Sequence, residues 1–192
     1  MTTTSLFVEL IVIGVGALGW LTMALLAIFG YQWVDFGKLS SLAGLVPALA
    51  VIYVLGITVD RIADQVFGPL ARRLQSRSFA TREDYERAKD LMYVRSPLRD
   101  LMEYNRSRLR ICRGWVVNCA LGVVSLNALV WSQLPENAPR MKLAVTGTVL
   151  LLAVSVGTFN AWYQLCIVAN ERLASQARFV EHTGTQTPGL AE

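Results

Sequence analysis

Histidine is nearly missing from this chain. The one imidazole, His182, lies in the C-terminal tail, so the apolar segments and the charged middle offer no histidine base and no histidine metal ligand. Cysteine is scarce as well. Cys112, Cys119 and Cys166 form no CxxC pair and have no histidine beside them, which argues against a zinc site or a disulfide framework and leaves them as small apolar packing residues. No GxSxG, P-loop or HExxH occurs. The chain is therefore read as not an enzyme, with no cofactor and no bound metal.

Charge is also in short supply, and it is confined. Charged residues make up 17% of the chain and apolar ones 54%, whereas a soluble domain carries about 25% charged residues. From Asp60 to Arg113 there are thirteen Lys and Arg against eight Asp and Glu, a local balance of +5 where the whole chain has +4. Long segments almost free of charge lie on either side. This pattern describes an integral membrane protein with a charged central insert, divided as 1–59 (a first transmembrane hairpin), 60–113 (the insert), 114–170 (a second hairpin) and 171–192 (a tail with a disordered end).

Four apolar runs are long enough to cross a bilayer, which takes about 20 residues at a rise of about 1.5 Å each. The first is Leu6 to Phe29. Its length, and the lack of Lys or Arg in Met1 to Ser5, set it apart from a signal peptide. The second is Leu39 to Val59, the third Gly114 to Leu134, and the fourth begins near Met141 and stays uncharged from Leu143 to Asn170. Pro47 is expected to kink the second, and Gly68-Pro69 to break or bend its continuation. Thr81, followed by Glu83 and Asp84, signals a new helix. Ser96-Pro97 signals another. From there a seam of Leu98, Met102, Asn105, Leu109, Cys112, Val116 and Cys119 advances in alternating steps of four and three, which predicts one rod running from the insert into the third span. The fold class expected is all-α: a four-span transmembrane helical bundle whose helices extend into a cytoplasmic helical module.

Small residues recur every four positions on two spans, at Ser40, Gly44 and Ala48 and again at Ala153, Gly157 and Ala161. Such faces let helices approach closely in lipid and are expected helix contacts. Gly14, Gly16 and Gly19 suit close contact in the first span. Asn118, Asn127, Asn160, Tyr163 and Gln164 are the intramembrane polar residues. They are expected to bond across helices, the alternative being that they line a watery path.

The sharpest candidate site is a charge cluster at the inner rim. Glu9 lies about one turn inside the first span, and Asp60 and Asp64, four apart, share a face at the end of the second. Arg61, Arg110, Arg113, Glu171 and Arg172 are expected at the same level. These groups form either a ring of ion pairs anchoring the helices or a cation site. Arg106, Arg108, Arg110 and Arg113 do not share one helix face, so they are expected to meet anionic lipid headgroups, and nucleic acid is not an expected partner.

Function stays open among three readings. The first is a non-enzymatic, self-associating membrane protein, a homo-oligomer whose cytoplasmic module senses something or binds a protein partner and whose assembly is a candidate ion-conducting channel. The second is an accessory or scaffold subunit with no conduction. The third is a small ion-coupled transporter using Glu9. Lys and Arg concentrate on the cytoplasmic side of membranes, so the insert and both termini are expected to be cytoplasmic, in an inner or plasma membrane. Reporters placed near Ser78 and after Glu192 should report the cytoplasm, and one near Asn137 the outside. Ser78 and Asn137 reporters on one side would refute the four-span topology.

Overall fold

A computed structural model describes the backbone of residues 3–32, 42–79, 81–93 and 96–184, and side chains over 6–32, 46–79, 81–90 and 103–176. Every regular element is a helix: α1 (Thr3–Phe29), α2 (Leu42–Gln75), α3 (Arg82–Tyr93), α4 (Ser96–Gln133) and α5 (Arg140–Gly184). Among the described residues there is no strand. All but α3 are long and apolar enough to cross a membrane. Ser40, the surroundings of Gly44, the side chains of Leu98 and Met102, and the last eight residues lie outside what is described.

Local chemistry sets the helix ends. Gly30 closes α1 at φ 77°, and its N–H donates to the Leu26 carbonyl at 2.9 Å, the left-handed cap that glycine adopts without a Cβ clash. Ser132 and Gln133 at the far end of α4 both donate to the Ala27 carbonyl at 3.0 Å, so α4 satisfies an orphan acceptor of α1. Thr81 opens α3 with a reciprocal cap: its N–H reaches Asp84 Oδ2 and its Oγ1 accepts from the Asp84 N–H, both at 3.1 Å. Arg140 donates to the Leu134 carbonyl and steadies the turn between α4 and α5.

Of the break or bend expected at Gly68-Pro69, the break does not occur; α2 runs on through both prolines to Gln75. A proline inside a helix costs about 3 kcal/mol. Burial offsets it here, because Phe67 and Leu74 pack with Trp162 and Cys166 of α5 in a core that also takes in Leu70, Ala71, Leu109 and Val116. Phe67 meets the Trp162 ring edge-on at 4.9 Å. The rod from Ser96 to Gln133 is continuous, and Leu109, Cys112 and Val116 of its seam face this core.

The helices are not wrapped evenly around one axis. α1 packs between α2 and α4, α5 packs on α4, and among the described residues α1 makes no contact with α5. The α1–α2 crossing is a backbone contact. A Cβ added at Gly14 would fall 1.9 Å from the Ile52 carbonyl oxygen, and one at Gly56 would fall 2.0 Å from that of Leu10. Gly14 is one of the three glycines expected to make such contacts and Gly16 is another, with Asn118 against it; Gly19 faces open space. Gly56 continues the small row of Ser40, Gly44 and Ala48 at the same spacing, passing over Ile52. The contacts expected of Ala153, Gly157 and Ala161 are not made among the described residues. All three are exposed, and a Cβ at Gly157 would meet nothing. The reason is that α5 uses its opposite face on α4, where Gly147 sits under Leu126.

Gly14→Ala and Gly56→Ala should therefore each destabilise the fold by about 1–3 kcal/mol, as overpacking does. Gly19→Ala should stabilise it by about 0.5–1 kcal/mol through helix propensity. Reversible unfolding in mixed micelles checks all three, and equal effects at the three sites would refute the glycine crossing.

Candidate functional site: a buried charge network

Glu9, Asp60, Asp64, Arg110 and Arg113 come together where α1, α2 and α4 meet. Glu9 sits on the second turn of α1, only 3% exposed. A carboxylate so buried needs a charged partner, and Arg110 Nη1 of α4 supplies it at 3.0 Å. Arg110 Nε also lies 3.7 Å from Asp60 Oδ1. One turn on, Arg113 donates from Nη2 to the same Asp60 oxygen at 3.2 Å and from Nη1 to Asp64 Oδ1 at 2.6 Å. The spacing makes this possible: Arg110 and Arg113, three apart, stack on one side of α4, and Asp60 and Asp64, four apart, stack on one side of α2.

Burial falls off steadily across the network. Asp60 is 8% exposed, while the Asp64 side chain is 41% exposed and also meets Arg61 at 3.9 Å on the surface. With Arg61 included, three acids face three arginines and the formal charge closes to zero. Arg110 Nε and Arg113 Nε are buried without a hydrogen bond. Losing an acid would thus strand a guanidinium that is already only partly satisfied.

Glu171 and Arg172, expected at this level, are not in the network. Both are exposed on α5, where they border two separate surface hollows. The physical reason is depth: the register that pairs Asn127 with Thr148 sets Glu171 opposite Tyr104, about two turns along α4 from the Arg110–Arg113 pair.

A second polar lock lies one to two turns further along α4. Asn118 is buried. Its Nδ2 donates to the Ile13 carbonyl at 2.8 Å, and its Oδ1 accepts from Trp20 Nε1 at 3.2 Å. The missing side chain of Gly16 leaves room for the amide. Asn127 ties α4 to α5, donating to Thr148 Oγ1 at 2.9 Å and to the Val123 carbonyl at 2.8 Å. Tyr163 accepts from Arg77 Nη1 at 3.4 Å. Asn160 and Gln164 differ from these. Both are exposed, and among the described residues neither carboxamide makes a hydrogen bond. Sequence reasoning did not single out Gly56, or Trp20 as a donor. The four-residue row signals the first; nothing local signals the second.

No group of three or more His, Cys, Asp or Glu among the described residues is placed to hold a metal. Comparison with models of protein families, with characterised proteins and with solved structures finds no match to this chain.

The geometry ranks the acids by burial, Glu9 and Asp60 above Asp64. Glu9→Gln should cost about 3–5 kcal/mol, the cost of breaking a buried pair, and Asp64→Asn about 1 kcal/mol. Double-mutant cycles of Glu9→Gln with Arg110→Gln and Asp64→Asn with Arg113→Gln measure the coupling. Additive changes would rule out direct pairing, and a gain in stability on neutralising Glu9 would mark a cation site instead.

Proposed function

We propose that this chain is a non-enzymatic, self-associating integral membrane protein, with the network end of the bundle on the cytoplasmic side and the helices beyond it forming a binding module. The outward face of α5 carries this reading. α5 rests on α4, and α2 and α3 touch it only toward the network end. Its free face presents Ala153, Gly157, Asn160 and Ala161 in succession, all exposed. A face turned only to lipid has no need of small residues or of a carboxamide. A face turned to another helix uses both, the small residues for close approach and the amide for a hydrogen bond of about 0.6–2 kcal/mol. Asn160 both donates and accepts, so a second copy offers it a matching partner at the same depth.

The network supports an anchoring role over ion coupling. Glu9 is held by Arg110, which speaks against Glu9 as the mobile acid of a transporter. Asn118 and Asn127 are committed to neighbouring helices, which speaks against a polar path through the single protomer.

Mass in detergent tests the proposal. The wild type should be a discrete oligomer. Gly157→Leu and Asn160→Leu should shift it toward monomer by about tenfold or more in dissociation constant, with the protomer's thermal stability kept. A strict monomer at all concentrations would discard self-association and favour the accessory-subunit reading, and ion flux in liposomes separates a conducting assembly from a silent one.

A further inference from the structure

A cavity of about 380 Å³ opens where α4 and α5 pass beyond the charge network, roofed by α3 and the end of α2. Its volume falls in the range of small-molecule sites, about 300–1,000 Å³. Its floor is apolar: Leu109, Cys166 and Leu173, the last two buried. Its rim carries Lys89, Arg106 and Arg172 against the single acid Glu103. Lys89 is paired with Glu86 at 3.1 Å on α3. Arg106 and Arg172 enter no ion pair among the described residues, and Asn105 and Asn170, which also line the cavity, make no side-chain hydrogen bond there.

We infer that this cavity binds an amphiphilic organic phosphate, its phosphoryl group held by Arg106 and Arg172 and its apolar part lying on Leu109, Cys166 and Leu173. Two unpaired guanidiniums ask for an oxyanion, for which planar multidentate donors are suited. The neighbouring carboxamides add donors for its remaining oxygens. The apolar floor excludes a bare inorganic ion as the best fit. Asn105 makes sense on this account: it is the one polar residue in an otherwise apolar seam on α4, and it lies where the seam opens into the cavity.

Depth suggests where such a ligand comes from. Asn127 pairs with Thr148, and Leu126 covers Gly147. Continued down both helices, this register sets Leu109 beside Cys166 and Arg106 beside Ala169, about one turn past Arg110. If the network marks the membrane rim, as proposed above, the cavity lies at headgroup depth, and a lipid phosphate and a soluble organic phosphate both have access. The inference rests on that membrane placement but not on self-association.

The test uses the full chain in zwitterionic detergent at constant ionic strength. The probes are dioctanoyl phosphatidic acid, dioctanoyl phosphatidylcholine, phenyl phosphate and inorganic phosphate, with equilibrium binding and thermal shift as readouts and particle mass recorded on the same samples. Phosphatidic acid, phenyl phosphate or both should bind saturably and raise Tm. Phosphatidic acid alone identifies a lipid source, and phenyl phosphate binding identifies a soluble one. The double variant Arg106→Gln/Arg172→Gln should weaken that binding at least about tenfold, as loss of charge-assisted hydrogen bonds does. Ala169→Phe, which keeps every charge and fills the cavity, should abolish it. Both variants should keep the wild-type mass, so failure here and failure of self-association are separate results. The inference is overturned if neither probe binds, if phosphatidylcholine or inorganic phosphate binds as well as they do, or if binding survives both variants.

Discussion

A carboxylate cannot be buried without a partner, and Glu9 is buried. That constraint governs how α1, α2 and α4 are assembled. Arg110 must come to Glu9, Arg113 then falls one turn away on the same side of α4, and Asp60 and Asp64 of α2 close around both guanidiniums. The same alignment brings Gly14 of α1 against the backbone of α2 and Gly56 of α2 against that of α1. In an antiparallel pair, five residues along α1 from Glu9 and four back along α2 from Asp60 arrive at about the same height. The charge network and the glycine crossing are two consequences of one register. A shift of one helical turn would lose both.

α5 obeys a different constraint. It has no charged group in the network, so polar and steric contacts with α4 hold it: the Asn127–Thr148 hydrogen bond and the fit of Leu126 over Gly147. At the network end the continuation of α2 crosses to it, with Phe67 against Trp162. Beyond Pro69 the same core takes in Leu70, Ala71 and Leu74, and their burial explains how α2 tolerates the proline. A helix that stopped at Gly68 would keep Phe67 but lose Leu70, Ala71 and Leu74 from this core, and burying them offsets the lost hydrogen bond.

The two proposals use opposite sides of α5 and opposite physics. The outward face is apolar with a small, weakly polar stretch at Ala153, Gly157, Asn160 and Ala161, which suits the proposed second copy in lipid, where packing and a few amide hydrogen bonds are the available forces. The cavity is basic above and apolar below, which suits a molecule with both characters at a membrane surface.

Hydropathy alone determined the four long helices, because a span needs an unbroken apolar length and nothing else about its surroundings. Local chemistry likewise determined the start of α3 at Thr81, since capping is an affair of four neighbouring residues. The grouping of Glu9, Asp60, Asp64, Arg110 and Arg113 was also legible, because helical spacing and antiparallel hairpins place those positions at one end. Only the tertiary structure decided which members of that end touch. It left out Glu171 and Arg172 because the register of α5 on α4 carries them about two turns past the network, and register depends on the packing of all the helices at once. It carried α2 through Gly68-Pro69, where the local signal to stop was outweighed by burial against α5. It turned Ala153, Gly157 and Ala161 outward although they share the spacing of a contact face, because spacing defines a face and only packing decides what the face meets.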